Sequence, residues 1–319
     1  MTASRGAPRA NRPLAYAALL VAVLGISWSA IFIRWTALPG PSSAFYRVFI
    51  ASLVLGPLWM ASRATSSRPH LPREGRVRVA WLAVFGGAFF GIDLALYNTA
   101  VMMTTATEAT LFGNNAPLFV GLGTWLIFRR RPTRAYWTGL ALAATGGAMV
   151  MIGGFSREAS VGSLAGDLLA LTASIFFAAY LLTTEHVREV LDTLTFSTLS
   201  IAGSVVTLLI VCLVLGTPLG GFSLSTWTAL LGLGLVSQLA AYFALVYALG
   251  HLPATLTSVG LLAQVPLTAL LAVPLLGEPL YATQAAGAAL VLAGIYIVNR
   301  RRPLASSNTQ AGDRTSNIA

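Results

Sequence analysis

The chain has 319 residues, 56% of them hydrophobic and only 9% charged, with a formal net charge of +10. From Thr193 to Gly277 there are 85 consecutive residues without Asp, Glu, Lys or Arg, which excludes a soluble domain, because such a domain needs a charged surface. All 20 basic residues are Arg, and the absence of Lys excludes a P-loop NTPase, whose loop places a Lys on the nucleotide phosphates.

A basic head, 1–13, carries Arg5, Arg9 and Arg12 and leads into a first apolar span at 14–33. That span is longer than a signal-peptide core and no small-x-small cleavage site follows, so it is read as a retained membrane helix. Further spans of roughly the 20 residues that cross a bilayer are predicted at 42–61, 79–100, 104–128 and 135–153, and then at 165–184, 195–216, 225–249, 253–275 and 281–299. Segment 154–164 links the two sets. The tail, 300–319, opens with Arg300-Arg301-Arg302 and turns Ser/Asn/Thr-rich from Ala305, the composition of a disordered segment.

Arginine falls on alternate connections. Arg63, Arg68, Arg73, Arg76 and Arg78 lie on the second, and Arg129, Arg130, Arg131 and Arg134 on the fourth. The intervening connections carry only Arg34 and Arg157. This is the positive-inside pattern of an inner-membrane protein with both termini cytoplasmic, and it argues against nucleic acid as the partner behind the +10 charge. The connection Glu185 to Asp192 departs from it, and Arg188 and Asp192, four apart, are expected to pair with each other. Cys212 stands alone and allows no intrachain disulfide.

The text repeats itself. Asn115-Ala116-Pro117 is followed by Gly139 and Gly146, and Gln264-Val265-Pro266 by Gly287 and Gly294. Five spans per copy invert the second copy relative to the first. The predicted fold class is therefore an all-α integral membrane protein of ten transmembrane helices, built as two inverted five-helix repeats, 14–153 and 165–299. That plan is used by many secondary transporters, with the solute site near the midplane.

Enzymatic readings fare poorly. His70, His186 and His251 are scattered, without a zinc-binding spacing. Ser27 and His251 lie at different depths, which disfavours an intramembrane serine protease. Gly232-Leu233-Gly234 lies inside an apolar helix, where small residues serve helix packing. No catalytic residue, cofactor or metal site is assigned.

Four stretches carry a family resemblance. They are Gly25 to Arg34, Ala44-Phe45-Tyr46-Arg47, Gly166 to Leu171, and Pro266 with Leu276-Gly277-Glu278-Pro279-Leu280 and Gly287. In order and spacing they resemble the drug/metabolite transporter superfamily, specifically its EamA-type family, over about 14–299. The resemblance implies ten helices, a central cavity and movement of small organic metabolites such as amino acids, with export the expected direction. The first copy departs from it, with Arg129-Arg130-Arg131 where a Gly-Glu often stands.

Ionisable groups inside a bilayer are costly and ask for a reason. Arg47, Asp93 and Glu108 fall in the outer half of spans two, three and four, and are the candidates for coupling or gating. The functional reading makes Asp93 or Glu108 a proton carrier, with Asp93, the deeper acid, favoured; the plainer one pairs Arg47 with one of the carboxylates as a structural bridge and lets Glu108 snorkel to the outer water. Asp167 at the start of span six suits a helix N-terminus. Trp28, Tyr97, Asn115, Gln238, Tyr242 and Gln264 fall near mid-depth and are the candidate solute-cavity residues, with Asn98, Asn114 and Tyr180 at the same level. Pro117 and Pro266 are expected to break their helices. Asn115 and Gln264 are expected to face each other across the cavity, the alternative being that each caps a carbonyl of its own helix. Expected partners are a small-molecule solute, the lipid bilayer and protons. The glycine faces of spans five and ten fit either scaffold packing or a homodimer contact. An uncoupled facilitative transporter and a non-transporting sensor or assembly protein are the rival functions.

Overall fold

The computed structural model describes residues 12–65, 73–104, 106–154, 161–277 and 282–300. The start of the head, parts of the connections, Glu278 to Leu280 and the tail after Arg300 lie outside them, as does the side chain of Glu108. Every regular element among the described residues is helical. In lipid this is forced, since a spanning helix satisfies all its backbone hydrogen bonds internally.

The helices are α1 (Arg12–Ser27), α2 (Ser29–Thr36), α3 (Gly40–Thr65), α4 (Arg73–Met103), α5 (Ala106–Gly113), α6 (Ala116–Leu126) and α7 (Arg134–Gly154). Then follow α8 (Val161–Arg188), α9 (Thr193–Leu215), α10 (Leu224–Gly232), a π-helical segment (Leu233–Tyr242), α11 (Phe243–Leu249), α12 (Ala254–Leu261), α13 (Gln264–Leu276) and α14 (Ala282–Arg300). Among the described residues, seven helical stretches are long and apolar enough to cross a membrane, and Ala116–Leu126 and Ala285–Val298 are shorter apolar helices.

Several of the predicted spans are interrupted. The first breaks at Trp28, the fourth at Asn114 and Asn115, and the ninth at Leu262 and Ala263, while the eighth widens into the π-helical segment. The breaks expose backbone groups that other helices satisfy. The Ser27 carbonyl accepts from Thr268 Oγ1 of α13 at 3.2 Å, and the Gly25 carbonyl accepts from Ser237 Oγ of the π segment at 2.9 Å. Irregular backbone at membrane depth is tolerated only with such partners.

Glycine governs how closely the helices meet. A Cβ on Gly87 of α4 would sit 1.8 Å from the Ser200 carbonyl oxygen, and one on Gly203 of α9 would sit 2.2 Å from that of Val84. The backbones of α4 and α9 are therefore in direct contact, and Ser204 Oγ donates to the Gly87 carbonyl across the seam at 2.7 Å. Helix α4 also packs along α8, as α1 packs against the π segment and α11. Helix α7 lies along α14, with Gly139 against Gly294 and Gly146 against Gly287. The glycine faces of spans five and ten are thus packed on each other within one chain, the scaffold arrangement.

Both ends of the bundle are tied. At the end predicted to face outward, Ser42 and Tyr46 donate to the carbonyls of Pro218 and Leu219 at 2.8 and 2.6 Å. There Arg34 also donates to the Thr104 carbonyl. At the other end Trp59 Nε1 donates to Thr195 Oγ1 at 3.2 Å. Arg188 and Asp192 do not form the expected ion pair. The guanidinium donates to the carbonyls of Leu191 and Val246 and to Thr193 Oγ1, while Asp192 accepts from Thr195 N at 2.9 Å as the N-cap of α9. A helix start leaves its first amides unpaired, and the carboxylate satisfies one of them while staying within the electrostatic reach of Arg188.

Candidate functional site

Arg47 is the largest fully buried side chain in the bundle, 1% exposed on α3. Its Nε donates to Gln238 Oε1 at 2.9 Å and its Nη1 to Ser29 Oγ at 3.0 Å. Its guanidinium carbon lies 5.4 Å from the centre of the Tyr242 ring, within range of a cation–π attraction. Nη2 has no hydrogen-bond partner among the described residues. The π-helical segment explains this convergence: both Gln238 and Tyr242 belong to it, and π turns recur at functional positions.

Asp93, on α4, is buried and within the electrostatic field of Arg47. No hydrogen bond joins the two, since the arginine's bonds go to neutral groups. Asp93 and Arg47 thus interact through charge without a direct hydrogen bond. Around this pair lies an aromatic wall, with Phe90 4.6 Å from Tyr180 and 4.6 Å from Tyr242 between ring centres.

A second polar group forms where α5 gives way to α6 and α12 to α13. Gln264 Nε2 donates to Asn114 Oδ1, and Asn115 Nδ2 donates to the Phe112 carbonyl at 2.9 Å. The amide that meets Gln264 is thus that of Asn114, and Asn115 bonds to its own preceding turn. Pro117 follows the first break as the second residue of α6, and Pro266 the second as the third residue of α13. Each proline thus sits in the first turn of the new helix, where its missing N–H costs little. Tyr97 Oη lies 3.1 Å from Thr110 Oγ1 beside this group.

Trp28 stands at the break between α1 and α2, stacked on Phe32 at 5.6 Å. The structure thus gathers Arg47, Gln238, Tyr242 and Asp93 into one buried cluster. Tyr97, Asn115 and Gln264 belong to the other group. Two participants escaped the sequence reading of the site. Ser29 is one of several serines in apolar helices and carries no distinguishing signal, and Phe90 is indistinguishable from any core aromatic.

Among the described residues, one cavity lies beside the amide group and another at the predicted cytoplasmic end. One of about 230 Å³ is lined by Asn114, Asn115, Trp137, Leu140, Leu262 and Val291, among others. The other, of about 460 Å³, lies where α6, α7, α8, α12 and α14 end or begin at the predicted cytoplasmic side. Asn115 is the only candidate cavity residue that lines either of them; Arg47, Gln238 and Tyr242 contact one another, and all three are buried, as is Asp93.

A profile of the EamA-like transporter family matches residues 13–152 and again 164–300. "Uncharacterized transporter YwfM" from Bacillus subtilis (strain 168) is 30% identical over 230 residues, spanning 69% of this chain and 74% of that protein. A solved structure described as a crystal structure of a protein superposes with a TM-score of 0.71 at 20% identity. That superposition covers 91% of this chain and 97% of the other, a likeness of fold.

Proposed function

The chain belongs to the EamA-like transporter family and is a multi-pass membrane protein, and on that premise we propose that it is a secondary-active carrier of small organic solutes. It works by alternating access, as two inverted five-helix repeats, 14–153 and 165–299, in the inner membrane with both termini cytoplasmic. Amino acids and related compounds are the solutes to test first, with export the expected direction. The observation that carries the reading is the exchange of partners between α7 and α14. Gly139 meets Gly294 and Gly146 meets Gly287, while the repeat pairs Gly139 with Gly287 and Gly146 with Gly294. Reciprocal contact of this kind is the mark of a two-fold relation, and a two-fold axis lying in the membrane plane inverts one half relative to the other. The two family matches, one per half, support the same division.

Coupling centres on Asp93. A proton on its carboxyl removes the negative charge facing the Arg47 guanidinium, and the field holding Arg47, Gln238 and Tyr242 together changes with it. The breaks in α5–α6 and α12–α13 supply the hinge pair, one per repeat, and small solutes meet the amides there.

Uptake of a panel of amino acids and related metabolites into proteoliposomes, with and without a pH gradient, tests this. Asp93→Asn is expected to abolish gradient-driven transport while exchange at equal pH persists. Normal gradient-driven transport by a well-folded Asp93→Asn protein removes Asp93 from the mechanism. Absence of transport for every solute refutes the carrier reading.

A further inference from the structure

The 460 Å³ cavity is distinct from the buried Arg47 cluster and from the amide group, and its walls carry both signs of charge. Arg130 and Arg131 line it from the turn between α6 and α7, and Glu185 and Glu189 from the end of α8. Glu185 lies in the last turn of α8 and Glu189 just past its end, and both line the cavity. Arg130 acts electrostatically on Glu185. Glu185 Oε2 accepts from Ala254 N at 3.1 Å, and a carboxylate that accepts one hydrogen bond keeps further acceptor capacity. Thr133 and Tyr136 lie on the arginine side and Thr255 on the α12 side.

The turn that presents the arginines is shaped for it. Arg129 has φ +53°, a left-handed conformation that non-glycine residues rarely adopt, and Arg130 N folds back to the Thr124 carbonyl at 3.1 Å. Membrane sidedness alone asks for basic residues at this end, but not for two carboxylates opposite them in a concavity. A guanidinium fork matches a carboxylate in two parallel hydrogen bonds, and a carboxylate receives an ammonium. The volume falls within the range of about 300–1,000 Å³ usual for small-molecule sites.

We propose that this cavity is a second solute site, a vestibule that binds a small molecule carrying both a carboxylate and an ammonium group. Arg130 and Arg131 take the carboxylate; Glu185 and Glu189 take the ammonium. The inference rests on the carrier reading only in calling the bound molecule a solute in transit. Because the site reads the two charges, the apolar body between them is immaterial, and leucine serves as the probe.

The test is protection from labelling in nanodiscs. Thr255→Cys in a Cys212→Ser background is labelled with a membrane-impermeant maleimide, in the presence of leucine or of either of two compounds that keep its body and one charge. These are 4-methylpentanoate and 3-methylbutylamine. Leucine at ten times its dissociation constant leaves about one site in ten free and slows labelling about tenfold. The two single-charge compounds leave the rate unchanged. The double substitution Arg130→Gln and Arg131→Gln, and separately Glu185→Gln, abolish protection while the rate without probe stays at the parent value. Thr133→Cys on the opposite wall is expected to repeat the pattern if either variant misfolds. Equal protection by 4-methylpentanoate reduces the site to a basic patch and overturns the proposal, as does the absence of protection by leucine. Protection without transport of any solute overturns the carrier reading and leaves the vestibule standing; transport without protection does the reverse.

Discussion

Gly146→Ala is the sharpest test of how the two halves are joined. A Cβ added there would lie 2.5 Å from the Gly287 carbonyl oxygen, 2.7 Å from Val291 N and 2.8 Å from Leu290 Cβ. The first two are backbone atoms and cannot swing aside. Ordinary contact begins near about 3.5 Å, so α7 and α14 must separate by about 1 Å along their glycine seam. Overpacking of this kind costs about 1–3 kcal/mol. The control is Gly56→Ala on α3, where an added Cβ meets nothing within 4 Å. A helical Gly→Ala free of contacts gains about 0.5–1 kcal/mol, so the two substitutions are expected to have opposite signs. Gly294→Ala, whose Cβ would meet the Gly139 carbonyl at 2.4 Å, pushes the same two helices apart. Once they have moved for one methyl, the second costs less, and the double variant is expected to fall short of the sum by about 1 kcal/mol or more. Chemical unfolding of the purified protein in mixed micelles measures all four. The reasoning fails if Gly146→Ala is as stable as the parent, or if it changes only the oligomeric state.

Three other substitutions probe the remaining joints. Gln238→Leu strips the acceptor from Arg47 Nε and leaves a buried donor of a charged group unsatisfied, an expected loss of about 1.5–3 kcal/mol in the same unfolding assay, whereas Gln238→Glu, which keeps an acceptor, is expected to retain most of the stability. Arg129→Gly removes a left-handed strain of about 1–2 kcal/mol against a glycine entropy cost of about 0.5–1 kcal/mol, so a small net gain in stability is expected. Partial desolvation raises the Asp192 pKa, but the hydrogen bonds from Thr195 outweigh this and leave it lowered. A lowered folded pKa adds stability above the unfolded value, near about 3.9, and that stability is lost as pH falls through the folded value. Asp192→Asn keeps a capping oxygen that does not titrate, and is expected to flatten the acid limb of the stability profile between those two pKa values; an unchanged limb refutes the cap's role.

Much of the architecture was legible because the bilayer imposes it. A run such as Thr193 to Gly277 leaves no alternative to membrane helices, and the run of arginines from Arg129 to Arg131 marks a side. The interruptions were legible only in part. Pro117 and Pro266 pointed to the breaks that precede α6 and α13, yet nothing in the run around Trp28 announces that α1 ends there. Nor does the text from Leu233 to Tyr242 distinguish a π-helical stretch from an α-helical one, because the difference is one residue per turn in hydrogen-bond partner. The turn at Arg129 was half legible. Gly277, which closes α13, is likewise αL with φ +70°, so the two turns share a backbone conformation while only one carries the residue suited to it.

The pairing of Gln264 with Asn114, where superposing the repeats by number aligns it with Asn115, follows from the same geometry as the glycines. A two-fold relation makes residues equivalent, but it brings equivalent residues together only on the axis. Away from the axis a residue meets the counterpart of its neighbour: Gly139 meets Gly294, the counterpart of Gly146. Aligning Asn115 with Gln264 therefore carries no information on which amide Gln264 touches. The amide that reaches Gln264 had to be one displaced along the chain, and Asn114, in the turn just before α6, is so displaced. Asn115 instead returns its amide to the Phe112 carbonyl at the end of α5. Substituting Asn114 should thus disturb Gln264 more than substituting Asn115 does, a ranking opposite to the one that repeat alignment alone suggests. Comparing Asn114→Leu with Asn115→Leu, each alone and combined with Gln264→Leu, measures it: the larger coupling energy is expected for Asn114, and a larger one for Asn115 would refute the geometry of the break.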